Sequence, residues 1–374
     1  MTSFCPKARF SCQKTNFWSK NFTKMFNLPA ANRSKITIAD IARDSGVSPA
    51  TVSLVLRDKP GISPETRQRV LDSAQALGYI ATITKPTTQR AVSSIGLILK
   101  VRPNDEPLTN QFYAPVLAGI EAYCRQQQVN LFYAHMLVDE ENNPLELPRL
   151  LQEQPANGLL ILGAWLNDSV TRLLQPQETS LVLVDAYATT DLYDAVITDN
   201  EAGAYQATTY LIGNGHRHIA IVGSLPRSYP SIQERRSGYL RAMTEHRLEP
   251  HFVDCHLHPD SAVPTAIAYL ENHPEVTAIF CCNDELAIGV MSAMQALGKS
   301  VPQELSIIGF DNIALAQHVS PTLTTMRVDK RGMGRLAGQL LLNRLEHPEA
   351  GQIRAVIRPS LIERQSVRWL GNSD

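Results

Sequence analysis

Residues 37–57 read Thr-Ile-Ala-Asp-Ile-Ala-Arg-Asp-Ser-Gly-Val-Ser-Pro-Ala-Thr-Val-Ser-Leu-Val-Leu-Arg, two short helices with stop and start signals between them. Thr37 is a favoured N-cap and Asp40 stands three positions on, an approximate capping box, so a helix begins at Ile38. Gly46 supplies the left-handed residue that closes it. Ser48 then caps a second helix whose first position is Pro49, where the missing N–H costs nothing. Ile38, Ile41, Ala42, Val47, Val52, Val55 and Leu56 fall on the inner faces and form a small core. Pro49, Ala50, Ser53, Leu54 and Arg57 are left facing outward. Ser63-Pro64-Glu65 repeats the cap-and-proline start, and Val70, Ala74 and Leu77 carry a third helix to Gly78. A three-helix unit of this kind can place one helix in a DNA groove, although small helical units without that role share its caps.

Charge favours the DNA reading. The 374-residue chain is nearly neutral, yet residues 1–94 hold 14 Lys+Arg against 5 Asp+Glu while the remainder holds 21 against 31. A basic end on an acidic body is the asymmetry that contact with phosphate requires. Five of those basic charges lie in residues 1–24, and residues 25–94 still count 9 against 5. Residues 1–24 show no helical or strand periodicity and no continuous apolar core of a secretory signal. A basic arm on DNA and a transit-like leader are alternatives; the expectation is that translation begins at Met25 and that residues 1–24 are an over-long gene reading or a disordered tail, within an N-terminal extension over 1–35. Six cysteines, at positions 5, 12, 124, 255, 281 and 282, show no paired spacing, which points to reduced thiols in the cytoplasm. No apolar run approaches the ~20 residues of a membrane span.

After residue 94 short apolar runs alternate with helical stretches. Residues 95–101, 130–136, 158–164, 181–185 and 195–198 read as strands, with helices such as 114–127 between them. The rhythm repeats with strands at 219–223, 252–257, 278–282 and 305–310 and helices such as 235–245 and 285–297. This is the pattern of two doubly wound parallel-sheet halves with a cleft between them. Ligands bind at the carboxyl ends of such strands, and here those ends carry Asp185, Asn283-Asp284 and Asp311-Asn312. Carboxylates and amides with an arginine suit a hydroxyl-rich ligand. The plainer reading of each is a cap or turn residue for the following helix.

The order of these pieces resembles the lactose-repressor/galactose-repressor (LacI/GalR) family from about residue 36 onward. The resemblance rests on Thr37-Ile-Ala-Asp-Ile-Ala, Gly46-Val-Ser-Pro-Ala-Thr-Val-Ser, Ser63-Pro-Glu-Thr-Arg, Leu77-Gly-Tyr, Thr198-Asp-Asn-Glu-Ala-Gly, Gly215-His-Arg-His-Ile-Ala, Glu234-Arg-Arg-Ser-Gly-Tyr, Cys282-Asn-Asp-Glu-Leu-Ala-Ile-Gly and Leu305-Ser-Ile-Ile-Gly-Phe-Asp-Asn. It implies an all-α helix-turn-helix head on an α/β core like that of periplasmic sugar-binding proteins. It further implies a cytoplasmic homodimer that binds a pseudo-palindromic operator, controlled by a small-molecule effector, a sugar or sugar derivative, in the interlobe cleft. Thr37, Ser48, Pro49, Ala50, Thr51, Ser53, Leu54 and Arg57 would meet DNA; Phe112, Tyr113, Asp185, Arg235, Asn283 and Asp311 would hold the effector. The expected division is an extension over 1–35, a head over 36–79, a linker over 80–94 and a core over 95–374. The chain would cross between lobes near residues 198, 326 and 353, giving one subdomain of 95–198 with 327–352 and another of 199–326 with 353–374.

Two departures stand out. Leu54 occupies a recognition-helix position where the family commonly has arginine, and leucine can only touch a thymine methyl or pack. Residues 81–90, Ala-Thr-Ile-Thr-Lys-Pro-Thr-Thr-Gln-Arg, put Pro86 and several threonines where the family has a leucine-bearing hinge helix, so a flexible linker is expected instead. No cofactor or metal is expected: Gly332-Met-Gly334-Arg-Leu-Ala337 lacks the strand and acid of a dinucleotide site, and His251, Cys255, His256 and His258 match no zinc spacing. The alternative, a solute-binding protein or enzyme on the same body, calls for an export signal or an acid–base or nucleophile constellation, and neither pattern is present.

Overall fold

The computed structural model describes residues 36–56, 59, 61–77, 79, 92–102, 110–139, 143–153, 156–174 and 180–371. The expected extension over 1–35, Arg57 and residues 80–91 of the linker expected over 80–94 lie outside the described residues. The chain divides into two compact units, Met1–Thr88 and Gln89–Asp374.

The first unit is built from α1 (Ile38–Ser45), α2 (Pro49–Leu56) and α3 (Pro64–Ala76). The Asp40 carboxylate accepts from the Thr37 backbone N–H at 2.8 Å and from its hydroxyl at 2.7 Å. Gly46 closes α1 at φ +67°, Ser48 Oγ accepts the Thr51 N–H at 3.1 Å, and Ser63 Oγ accepts that of Thr66 at 3.3 Å. Ile41, Ala42, Val52, Val55, Val70 and Ala74 are buried together, with Ile38, Val47, Leu56 and Leu77 packed around them. Ser73 on α3 donates its hydroxyl to Asp44 on α1. So small a core gains from such a tie, because each buried aliphatic contributes only ~1.5–3 kcal/mol.

The second unit runs β1 (Ser94–Val101), α4 (Tyr113–Gln126), β2 (Asn130–Leu137), α5 (Arg149–Glu153), β3 (Gly158–Leu162), β4 (Trp165–Leu166), α6 (Asp168–Leu174), β5 (Ser180–Val184), β6 (Tyr187–Ala188) and β7 (Asp194–Thr198). It continues α7 (Asn200–Gly213), β8 (Ile219–Val222), α8 (Pro230–Glu245), β9 (His251–Val253), α9 (Pro259–Asn272), β10 (Ala278–Cys281), α10 (Asp284–Ala296), β11 (Ser306–Asp311) and β12 (Thr324–Arg327). Last come α11 (Lys330–Glu346), β13 (Arg354–Ile357) and β14 (Ser360–Ile362). Two six-stranded sheets result, ordered β13-β7-β5-β3-β1-β2 and β14-β12-β11-β10-β8-β9. The first is parallel throughout and the second parallel except for β14. Central strands such as β3, Gly-Leu-Leu-Ile-Leu, are buried along their whole length, as parallel strands covered on both faces must be.

The chain leaves the first sheet after β7, returns after β12, and leaves again after β13. The last crossing differs from the expectation near residue 353. β13 pairs in parallel with β7, Arg354 opposite Ala195 and Ile357 opposite Thr198, so residues 354–357 complete the first lobe and the crossing falls at 358–359. Its alternation of exposed and half-buried side chains gave no apolar run for the sequence reading to find. The strand expected over 252–257 is likewise shorter, ending at Val253.

Helix α11 lies against α4 at a distance only glycine permits. A Cβ on Gly119 would stand 2.3 Å from the Arg331 carbonyl oxygen, and one on Gly334 2.1 Å from that of Val116. Helix propensity alone makes Gly→Ala favourable by about 1 kcal/mol, so the sign of the substitution reports the packing. Gly334→Ala is expected to lower stability by about 1–3 kcal/mol in urea titration; a gain would show that the two helices are not held this close.

Candidate functional site

The carboxyl ends of both sheets meet at one polar cluster. From the first lobe, Asp185 follows β5 and Tyr113 opens α4, and the tyrosine hydroxyl donates to Asp185 Oδ2 at 3.0 Å. Asp185 Oδ1 is buried with no hydrogen-bond partner, an acceptor whose desolvation is uncompensated. Phe112 packs edge-on against Tyr113 with ring centroids 5.1 Å apart. From the second lobe, Arg235 on α8 is buried and reaches three acceptors. Its Nε donates to Asn200 Oδ1 at 2.9 Å, its Nη1 to the Cys282 carbonyl and its Nη2 to Asp311 Oδ1 at 3.5 Å. The guanidinium also lies over the Phe310 ring, 3.9 Å from its centroid.

Asn283 has a structural duty as well. Its Oδ1 caps α10 by accepting the Leu286 N–H at 2.9 Å, the plainer of the two sequence readings, which leaves the amide Nδ2 as the donor that can meet a ligand. Sequence reasoning missed Lys330, which caps the ends of β11 by donating to the Asp311 and Asn312 carbonyls and lies 5.9 Å from the Phe112 ring centroid. It also missed Lys100, over the rings of Tyr113 and Tyr229 at 5.6 and 5.2 Å, and Asn200, at the first crossing between lobes. Lone lysines and asparagines on long segments carry no spacing signal. Among the described residues, Asp185 (φ +47°), Asp311 (φ +108°) and Asn312 (φ +50°) hold left-handed backbone at these strand ends, a cost that accumulates where a site needs particular directions.

Among the described residues, tyrosines from both lobes reach across the cleft, as does Lys330. Tyr229, just ahead of α8, donates its hydroxyl to the carbonyls of Ala164 at 3.0 Å and Asp185 at 3.2 Å. Tyr187 of the first lobe donates to Glu234 of the second at 3.0 Å, and Asn200 Nδ2 joins the same carboxylate at 3.1 Å.

Burial raises the carboxyl pKa values here. Asp311 is pushed up to about 6, against the pull of Arg235 and then Lys330. Burial also raises Asp185, opposed by Lys100 and Arg235. Asp284, beneath Asp311, is pushed up to about 8 by burial and by the Asp311 charge, while accepting from the Thr325 hydroxyl and the Ile313 N–H. It therefore holds its proton to higher pH than an ordinary carboxyl.

The expected nucleic-acid residues sit on the surface of the head. Thr37, Ser48, Pro49, Ala50 and Leu54 are exposed, Thr51 and Ser53 half-buried, and Leu54 keeps 41% of its surface open. No fold need places a leucine there.

Residues 37–81 match the family described as bacterial regulatory proteins, lacI family, and residues 208–367 match the periplasmic binding protein-like domain. The chain is 32% identical over 344 residues to the HTH-type transcriptional repressor PurR of Vibrio campbellii, covering 89% of this chain and 99% of that protein. It is 33% identical over 338 residues to the ribose operon repressor of Haemophilus influenzae, covering 88% and 98%. Among solved structures, the transcriptional regulator CelR in complex with cellobiose superposes with a TM-score of 0.63 at 25% identity, covering 89% of this chain and all of the other.

A carboxyl raised from its ordinary value near 4 to about 8 keeps its proton in the native state where the unfolded chain has lost it. Native stability therefore falls as pH rises between about 4 and 8. Asp284→Asn, isosteric and neutral throughout, is expected to flatten that decline in urea titrations at about pH 5 and about pH 8. An unchanged slope would place the dependence elsewhere.

Proposed function

The chain belongs to the lacI family of bacterial regulatory proteins, and from that footing we propose that it represses transcription as an effector-controlled homodimer bound to a pseudo-palindromic operator. The observation that carries the reading is a head whose second helix leaves Pro49, Ala50 and Leu54 exposed on a chain whose core gathers a buried arginine and two buried carboxylates at converging strand ends. A solute-binding or catalytic role on the same body would leave that head without use. Thr37, Ser48, Pro49, Ala50, Thr51, Ser53, Leu54 and Arg57 are the proposed DNA contacts. With leucine at 54 the operator presents a thymine methyl or no direct contact there, and differs from those read by an arginine.

The proposed effector is a small carbohydrate or derivative. Asp185 Oδ1 and Asp311 accept, Arg235 and the Asn283 amide donate, and Phe112 and Tyr113 offer ring surface, a set that recognises neighbouring hydroxyls. A relative is named for a ribose operon and a structural neighbour holds cellobiose, which supports that ligand class. Arg235 exchanges part of its hydrogen bonding for ligand, and because its Nε holds Asn200 at a lobe crossing, the exchange biases lobe orientation and thereby operator affinity.

For the dimer, the support is β2, an edge strand of the first sheet that leaves Phe132 43% and Tyr133 40% exposed, a surface that invites a partner. No helix among the described residues is long and apolar enough to cross a membrane, and we place the protein in the cytoplasm with its operator.

The test is a gel-shift with palindromes from the DNA upstream of its own gene. The intact protein is expected to retain one of them as a dimer, and failure on all would count against repression. Arg235→Ala is expected to keep operator affinity within about threefold while abolishing the shift caused by sugars. Loss of both together would make Arg235 a folding residue only.

A further inference from the structure

A second cluster of ligating side chains lies away from the cleft, at the outer edge of the second sheet. His251 opens β9, the edge strand. His273 ends α9, and Glu275 follows it in the next turn. One ligand atom from each of these three lies within 4.8 Å of the others. His218 stands just before β8, whose Ala220 pairs with His251, and its ring centroid is 5.8 Å from that of His251. His273 lies 6.0 Å from His251 on the same measure.

The two nitrogens of His251 are used unequally. Nδ1 meets the Tyr269 hydroxyl at 3.1 Å, whereas Nε2 is shut off from solvent and has no hydrogen-bond partner. A ring with one nitrogen oriented by an outer hydroxyl and the other unmet is how a metal-ligating histidine is held. The Tyr269 ring also stacks on His273, centroids 4.1 Å apart, which fixes the second imidazole. His273 Nδ1 and Glu275 Oε1 are 3.0 Å apart, near the ~3.3 Å edge of a tetrahedron built on bonds of ~2.0 Å.

We propose that His251, His273 and Glu275 bind one divalent ion of the zinc class. Imidazole nitrogens with a single carboxylate suit zinc, nickel or copper; calcium and magnesium want oxygen sets. The cluster shares only His251 with the run His251, Cys255, His256 and His258 seen in the sequence. There, Cys255 is buried with its thiol on the Val253 carbonyl, and His258 turns to Asp260 at 3.8 Å. The ion would join β9 to the end of α9 and stabilise the folded chain by mass action.

The experiment uses the untagged full-length chain, stripped with chelator and titrated with Zn²⁺ at neutral pH by calorimetry, with melting curves alongside. One equivalent per chain at micromolar or tighter affinity is expected, with a melting temperature that rises with zinc. His251→Gln, His273→Gln and Glu275→Gln should each weaken binding at least about tenfold, while the exposed His347→Gln should not. Substoichiometric binding, a melting temperature indifferent to zinc in the wild-type chain, or full affinity in a folded His251→Gln variant would each overturn the proposal.

Discussion

A buried guanidinium has to be satisfied from several directions at once, and Arg235 organises the core around that requirement. Its acceptors come from three separate places: Asn200 at the first crossing between lobes, the Cys282 carbonyl at the end of β10, and Asp311 at the end of β11. Removing any one would leave charge poorly compensated in a dry setting. The same demand explains the next layer. Lys330 holds the Asp311 and Asn312 carbonyls, Arg364 takes the Asn312 side chain at 2.8 Å, and burial together with the Asp311 charge raises the pKa of the Asp284 carboxyl to about 8. A second ionised carboxylate beneath Asp311 would face like-charge repulsion with little solvent to screen it.

The head was legible residue by residue because its signals are local. Caps, a left-handed glycine and an N1 proline act within four residues of where they stand, and Thr37, Gly46, Ser48 and Ser63 each do what their chemistry allows. The apolar strands of the two sheets were legible too, since burial on both faces leaves continuous runs. β13 was not, because its side chains alternate and carry little apolar weight, and β9 was found but read too long. At the cleft, strand-end acids could be picked out, whereas Lys100, Asn200, Lys330 and Tyr229 are brought there only by the fold. Asn283 shows the limit from the other side: both of its readings were open, and the structure gives its oxygen to the helix. The His251, His273 and Glu275 cluster was invisible for the same reason as Lys330. Its members come from different elements, and the only histidine run in that region points elsewhere.

Lobe closure in this structure rests on few bonds. Tyr229 and Tyr187 span the cleft with phenol hydroxyls, and the Leu315 N–H donates to Gln111 at 3.3 Å. Lys330 adds a charged donor across the same seam, and bonds of these kinds contribute about 1–3 kcal/mol each, a range that differential binding of a ligand can offset to change the balance between lobe arrangements. Stiff sheets joined by a weakly bonded seam are suited to moving as bodies.

The threading of the chain also governs how the molecule comes into being. The first lobe receives α11 and its edge strand β13 only after the whole second lobe has been made, so on the ribosome it waits with the flank of β7 unpaired and the Gly119 face of α4 uncovered. The second lobe in turn lacks β14 until residues 360–362 emerge. Each sheet is thus completed by a strand made after most of the other lobe, β13 on β7 and β14 on β12, long-range pairings of the kind that slow folding.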